Sequence, residues 1–136
     1  MMLEPPLSLA RVSCLLHTTL MTFGEYIRQQ REALRKSDRR YSVRQVAARV
    51  GIEPSYLSKI ERGQQPPPSE ETTRKLADDL DENADVLLAM AGKVSGDLRD
   101  VIIRRPQLFA ELLRQLKDTP DHAVLRVVRE VRDGTW

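Results

Sequence analysis

The chain has 136 residues, and its 22 lysines and arginines outnumber its 20 aspartates and glutamates to give a net charge of +2. This length accommodates one domain of ordinary size, or a small domain with an appendage. The single cysteine excludes an internal disulfide and a cysteine-based zinc cluster, and the two histidines suggest no other metal site. No apolar run reaches the ~20 residues of a membrane span, so we expect a cytoplasmic protein that does not enter a membrane.

The sequence also lacks the motifs of common enzymes. It contains no Gly-rich phosphate loop, no metal-ligand spacing and no Ser/His/Asp or Cys/His arrangement. His122 is most simply a surface residue in the last predicted helix. We therefore predict no catalytic residue, no cofactor and no bound metal.

Charge is distributed unevenly along the chain. Residues 22–62 carry ten basic against five acidic side chains, whereas residues 66–90 carry two against seven. The basic segment has the sign of charge that contact with phosphates requires. The alternative is that these charges only solvate helical surfaces.

The first 21 residues show no sustained periodicity and contain Pro5-Pro6. Thr22 and Glu25 follow as a T-x-x-E capping box, which satisfies backbone N–H groups at the start of a helix. We therefore expect residues 1–21 to be a disordered tail or a wrongly assigned extension, with Met21 as the natural start. An N-terminal arm ordered on the domain is the structural alternative.

A first helix is predicted over about residues 23–36. Its inner side is predicted to consist of mostly apolar residues, with Ala33 beside them: Phe23, Tyr26, Ile27, Gln30 and Leu34. Three arginines are predicted to lie on its other faces: Arg28, Arg31 and Arg35.

Two short helices joined by a tight turn are predicted over residues 42–63. Ser42 and Gln45 form a capping box that starts the first helix. Gly51 ends this helix where a residue with positive φ is needed, and Pro54 fits the first turn of the next helix, where its missing N–H costs nothing. A helix-turn-helix of this size presents its second helix to the major groove of DNA.

The two helices are predicted to share a buried face. In the second helix Leu57 and Ile60 lie three apart and face inward. The first contributes Val46, Ala47 and Val50. The remaining side chains of the second helix point outward: Ser55, Tyr56, Ser58, Lys59 and Arg62.

This stretch resembles the helix-turn-helix of the XRE family, which contains Cro and the phage repressors. The resemblance covers about residues 22–90 and rests on Val46-Ala47, Gly51, Ser58, Ile60-Glu61 and Gly63, with prolines following. It implies an all-α, five-helix, phage-repressor-like DNA-binding domain, here residues 22–92, with additional C-terminal helices. It also implies binding to double-stranded operator DNA, usually as a homodimer, and commonly repression of transcription.

The resemblance assigns candidate contacts with DNA. Base contacts are expected near the N-terminus of the second helix, from Pro54, Ser55, Tyr56 and Lys59, and a lysine can donate to guanine O6 and N7. Phosphate contacts, which position the protein without reading sequence, are expected from Arg40, Ser42, Arg44, Ser58 and Arg62. Solvated charge is the alternative for Arg44 and Arg62, and Glu61 is expected to be structural, as a partner of an arginine or of backbone groups.

Two residues depart from the family pattern. Val43 replaces a glutamine that grips a phosphate in many members, so this contact is missing or moved to Arg44. Glu53 stands where many members have serine or threonine. A carboxylate there repels phosphates, although it could accept a hydrogen bond from cytosine N4.

Two further helices are predicted to complete the domain after the rigid spacer Pro66 to Pro68. Ser69 caps the first, with Leu76, Ala77 and Leu80 on its apolar face. Asn83 caps the second, whose predicted buried residues are Val86, Leu87 and Met90, and Gly92 ends it.

Residues 93–136 are predicted to form three more amphipathic helices, with Thr119-Pro120-Asp121 as the start signal of the last one. Their apolar positions include Leu98, Val101, Ile102, Leu108, Phe109, Leu112, Leu113, Leu116, Val124, Val127, Val128 and Val131. We favour dimerisation through these faces, which would present two recognition helices about one DNA turn apart. Packing back onto the same chain is one alternative. Binding of a protein partner through residues 93–136, as in an antitoxin-like or adaptor protein, is the other.

Overall fold

The computed structural model describes residues 21–136, and the expectations for residues 1–20 lie outside this range. Met21, which was assigned to the N-terminal extension, is half-buried against the core.

The described part of the chain is all-α and contains eight α-helices with no strand. These are α1 (Phe23–Arg35), α2 (Val43–Val50), α3 (Pro54–Glu61), α4 (Glu70–Asp79), α5 (Ala84–Met90), α6 (Gly96–Arg104), α7 (Pro106–Leu116) and α8 (Asp121–Asp133), with a short 3-10 helix at Arg39–Tyr41 before α2.

The chain divides into two compact units between Ser95 and Gly96. The first unit holds α1 to α5 and the second holds α6 to α8. None of the described helices is long and apolar enough to cross a membrane.

Side-chain caps set the starts of four helices in the first unit. An oxygen of the capping side chain accepts a hydrogen bond from the backbone N–H three residues on, at 3.1–3.3 Å, in each of these cases: Thr22, Ser42, Ser69 and Asn83. The capping box at Ser42 is only half formed, because the Ser42 N–H donates to Arg39 O at 3.3 Å instead of to Gln45. The 3-10 helix before α2 therefore occupies the donor that a capping box would use.

The core of the first unit is continuous across its five helices. Its members are Phe23, Tyr26, Ile27, Val46, Ala47, Val50, Leu57, Ile60, Leu76, Ala77, Leu80 and Leu87. The predicted inner faces of α2, α3 and α4 are confirmed by this cluster. The prediction for α5 was partly wrong, since Leu88 is buried while Val86 and Met90 are only half-buried. Five consecutive apolar residues, Val86 to Met90, make up most of α5, so helical periodicity could not identify its inner face.

The prediction for α1 also needs correction. Arg31 is only 3% exposed, although it was predicted to lie away from the inner side, whereas Ala33 is exposed and Gln30 is half-buried. Arg31 continues the stripe of Phe23 and Ile27 at intervals of four residues, so it occupies an inner position. It can be buried because Glu61 supplies a carboxylate partner.

The second unit is a set of amphipathic helices whose apolar residues stay accessible. No residue of α6, α7 or α8 is buried. Large apolar side chains remain exposed along all three helices: Leu98, Val101, Ile103, Leu108, Leu112, Leu113, Val127, Val128 and Val131. The sequence predicts Thr119 as the cap of α8 and Pro120 as its first residue. This is wrong by one residue, because Pro120 is the N-cap and the Thr119 hydroxyl donates to Gln115 O at the end of α7.

Candidate nucleic-acid interface

The turn between α2 and α3 is fixed by backbone geometry. Gly51 has a φ of +87°, and its N–H donates to Ala47 O at 2.8 Å. The Ile52 N–H donates to the same carbonyl at 2.9 Å, which closes the end of α2. Pro54 then occupies the first turn of α3, as predicted, where no N–H is required. Two short helices are therefore held at a defined angle by one left-handed glycine and a shared core.

The outer side of α3 forms a polar stripe. Ser55, Lys59 and Arg62 are exposed and follow one another at helical spacings of four and three residues. Pro54, Tyr56 and Ser58 are half-buried beside this stripe, and Tyr56 also packs against the core. The structure thus brings Ser55 and Lys59, two of the four predicted base-contacting residues, onto one accessible surface, with Pro54 and Tyr56 at its border.

The predicted phosphate-binding residues lie in different environments. Arg44 and Arg62 are exposed, and neither forms an ion pair with any residue in the described range 21–136. Ser42 and Ser58 are half-buried, and the Ser42 oxygen accepts a hydrogen bond from the Gln45 N–H at 3.3 Å. The Ser42 hydroxyl keeps its own proton and can still donate to a phosphate.

Arg40 is engaged by a neighbouring carboxylate. Its Nε and Nη2 donate to both oxygens of Asp38 at 2.8–3.1 Å. These hydrogen bonds lower the pKa of Asp38 from 3.8 to about 2, and they raise the pKa of Arg40. Arg40 was predicted to bind a phosphate, but two of its five N–H donors are bonded to Asp38. Arg39 is exposed and has no ion pair within residues 21–136, so its guanidinium is more available to a phosphate than that of Arg40.

Two further arginines, whose roles were not predicted, connect the helices that position the polar stripe of α3. The Arg49 guanidinium donates to Asp79 at 2.6 and 3.0 Å, which raises the pKa of Arg49, and it lies 5.1 Å from the ring centroid of Tyr41. It therefore links α2, α4 and the 3-10 helix. Asp79 lies 30 positions along the chain, so no local signal in the sequence could reveal this pair.

The second of these arginines is Arg31, which bonds Glu61 through two nitrogens at 2.7 and 2.9 Å and donates to Tyr41 O at 3.2 Å. The hydrogen bonds with Glu61 raise the pKa of Arg31 against the opposing effect of burial. The structure confirms the prediction that Glu61 is structural and partners an arginine. Gly24 is a further contact point, because a β-carbon there would collide with the carbonyl oxygen of Ile60.

The family described as the helix-turn-helix domain matches residues 22–89, which contain all of α1 to α4 and nearly all of α5. The chain belongs to the helix-turn-helix domain family. Two curated relatives from two strains of Mycobacterium tuberculosis, CDC 1551 / Oshkosh and ATCC 25618 / H37Rv, are named uncharacterised HTH-type transcriptional regulators. Each is 35% identical to this chain, and the similarity covers 69% of this chain and 66% of the relative. The chain thus spans slightly less than two thirds of these relatives, and no solved structure gives a significant match.

Within this helix-turn-helix domain, α3 occupies the position of the second, recognition helix. The first helix of the motif, α2, begins at Val43 after its cap Ser42, and the exposed Arg44 lies in its first turn. Among the described residues, no group of three or more His, Cys, Asp or Glu side chains could hold a metal ion.

Proposed function

We propose that the chain is a sequence-specific DNA-binding transcriptional regulator of the XRE type, acting as a repressor on a palindromic operator. The observation that carries this proposal is the exposed polar stripe on α3, with Ser55, Lys59 and Arg62 on its outer side. A helix in this position of the motif enters the major groove with its N-terminal residues towards the base edges. The relatives named as transcriptional regulators support the same class of function.

Contacts with bases are proposed for the N-terminal two turns of α3. Ser55 and Lys59 are exposed there, and Pro54 and Tyr56 flank them with half-buried side chains. Lys59 has the chemistry to donate to guanine O6 and N7. Tyr56 can contact only with the part of its ring that does not pack against the core.

Contacts with phosphates are proposed for the residues around this helix: Arg40, Ser42, Arg44, Ser58 and Arg62. Arg44 and Arg62 are the strongest of these, because they are exposed and form no ion pair with another described residue. Arg40 would first have to share its guanidinium between a phosphate and Asp38. Arg39 is added to the proposed set as an exposed cation in the same segment.

Residues 22–92 are the proposed DNA-binding domain, and residues 93–136 the proposed dimerisation region. Leu108, Leu113 and Val131 are each at least 60% exposed, which is unusual for so many large apolar side chains on adjacent helices. A two-fold interface would cover the same patch on both copies and would present two recognition helices to a palindromic site. The same exposed faces favour a second candidate, an antitoxin-like or adaptor protein whose C-terminal helices bind a different protein.

The proposal is tested by a gel shift with duplex DNA from upstream of the chain's own gene. We expect saturable binding that survives excess random DNA, with an affinity that falls steeply as salt rises, because bound lysines and arginines release counterions. Equal competition by random DNA would contradict sequence-specific binding. Light scattering on the free protein separates the two candidates, since a homodimer predicts twice the chain mass of 15.6 kDa without an added partner.

A further inference from the structure

The start of α3 differs from the starts of the other helices in the first unit. Thr22, Ser42, Ser69 and Asn83 all use a side-chain oxygen to cap their helices. Glu53 occupies the corresponding position of α3 and makes no side-chain capping bond. Glutamate is also outside the set of residues preferred at this position, which favours Ser, Thr, Asp and Asn.

The backbone of Glu53 performs the structural role alone. Its φ and ψ of −71° and 139° are those of an ordinary N-cap residue. Its carbonyl oxygen accepts from the Tyr56 and Leu57 N–H groups at 3.0 and 3.1 Å. Any residue with the same backbone conformation would supply this acceptor, so α3 starts without a capping bond from the glutamate side chain.

The Glu53 carboxylate is available to a ligand. Its side chain is exposed, and it forms no hydrogen bond or ion pair with any residue between 21 and 136. It lies at the end of α3 that enters the groove in the proposed function. A position that gives up a favourable cap without any compensating contact is where a functional constraint is expected.

We propose that Glu53 is a specificity-determining residue whose carboxylate selects a C·G pair by accepting a hydrogen bond from cytosine N4. A carboxylate only accepts hydrogen bonds, so guanine O6 and N7 and thymine O4 repel it. Adenine offers an amino donor but places the N7 acceptor beside it. The inference rests on the proposed function, since it requires the N-terminus of α3 to lie in the major groove.

Glu53 would help the protein to discriminate between base pairs, but it would also lower the affinity for DNA in general. Its negative charge is repelled by phosphates on every sequence, and only a cytosine amino group in reach offsets this repulsion. Lys59 complements it, because a lysine selects guanine acceptors and lies six residues along the helix, roughly 9 Å further along the axis. The two residues would therefore contact different base pairs.

The experiment is selection of duplexes from a randomised library by wild-type protein, Glu53→Gln and Glu53→Ser, followed by affinity measurements on the selected site. We expect the wild type to enrich a C·G pair at one position of each half-site, and to lose roughly tenfold in affinity when that pair is replaced. In Glu53→Ser this preference disappears and binding to random DNA strengthens. Glu53→Gln moves the preference towards adenine, because an amide can bond both N6 and N7.

A matched control is Glu71→Ser, which removes one exposed carboxylate from the first turn of α4. It has the same effect on net charge, and we expect it to leave the selected sequence unchanged.

Thermal unfolding gives the structural readout, and Glu53→Ser should melt no lower than wild type, because serine can cap α3. An unchanged C·G preference in Glu53→Ser, or a lower melting temperature, would overturn the inference. If the wild type selects no sequence at all, the proposed function fails. If the wild type selects a sequence and Glu53→Ser selects the same one, only the inference about Glu53 fails.

Discussion

Arg31 and Glu61 form a buried, two-point ion pair that joins the middle of α1 to the last residue of α3. Their side chains are 3% and 4% exposed, and a further hydrogen bond of Arg31, to Tyr41 O, brings the 3-10 helix into the same connection. The recognition helix is therefore held at its C-terminal end by a charged pair and along its inner side by Leu57 and Ile60. This leaves its outer stripe free while its orientation is fixed.

Removing one partner of this pair is predicted to destabilise the domain strongly. Arg31→Met leaves the Glu61 carboxylate buried without its guanidinium partner, which typically costs 3–5 kcal/mol. The free energy of unfolding from urea titration checks this. The double variant Arg31→Met with Glu61→Leu should regain much of the loss, because no isolated charge remains. A double variant as unstable as the single one would contradict this explanation.

Gly24→Ala is predicted to disturb the same contact between α1 and α3. The added β-carbon would meet the backbone carbonyl of Ile60, which cannot move without shifting α3. We expect a loss of about 1–3 kcal/mol in stability, as is usual for overpacking. Gly96→Ala is the control, because a β-carbon at Gly96 would meet no atom within 4 Å and its φ is not positive. Equal effects of the two substitutions on unfolding would rule out the collision as the cause.

The Asp38–Arg40 pair is predicted to persist into strongly acidic solution. Hydrogen bonds from the Arg40 side chain and backbone lower the pKa of Asp38 from 3.8 to about 2. Because the folded-state pKa lies below the unfolded value, any stabilisation is complete above pH ~4 and disappears as the pH falls towards 2. NMR titration of the Asp38 carboxyl measures this directly. In Arg40→Gln we expect its pKa to return towards 3.8, and no change would contradict the assigned cause.

The same pair predicts a gain of DNA affinity. Asp38→Asn keeps a side-chain acceptor for the Arg40 N–H but removes the charge that occupies the guanidinium. We expect tighter binding and a salt dependence steeper by roughly one released counterion. Fluorescence anisotropy across a salt series measures both, and Asp38→Asn combined with Arg40→Gln serves as control. If the double variant gains the same extra salt dependence, Arg40 is not the added contact.

Lys59→Ala is predicted to weaken the cognate site more than random DNA. Loss of a contact with guanine should cost about 1–3 kcal/mol on the cognate site, whereas loss of a phosphate contact weakens all sequences alike. Lys75→Ala is the matched control, because Lys75 is a half-exposed lysine on α4, paired with Glu71 at 3.5 Å. Equal losses on both DNAs would show that Lys59 touches only phosphate.

Leu112→Glu and Val128→Glu are predicted to produce monomers. These side chains are 39% and 46% exposed on the apolar faces of α7 and α8, and a charge would remain unpaired in a dimer interface. Light scattering gives the mass, and Gln115→Glu, at an exposed polar position of α7, is the control. An unchanged mass in both apolar variants would argue against dimerisation through these faces.

Local chemistry explains which parts of the fold could be predicted. The helix starts at Ser42, Ser69 and Asn83 depend on side chains that bond backbone groups three residues away, so a short window contains all the information. The turn at Gly51 is predictable for the same reason, because only its own φ is at issue. The predicted surface of α3 follows from helical spacing once its ends are known.

The errors concern residues whose environment is supplied from elsewhere. Arg31 looks like a solvated arginine until Glu61, thirty positions on, is brought against it. Leu88 could not be distinguished from its apolar neighbours, because α5 is too short and too uniformly apolar to define one face. Arg40 is an exception to this, because its partner Asp38 lies only two residues before it, and this local pair was not predicted.

The sequence by itself determined the succession of helices, the glycine turn and the identity of the helix-turn-helix, because caps, positive φ and periodicity act over a few neighbouring residues. Only the tertiary structure decided which charged side chains remain exposed and unpaired, and so available to contact DNA. Burial of Arg31, engagement of Arg49 by Asp79 and exposure of Arg44 and Lys59 depend on packing between helices distant in the chain. Desolvation and pairing of charge are set by these distant neighbours, and residue order alone does not contain them.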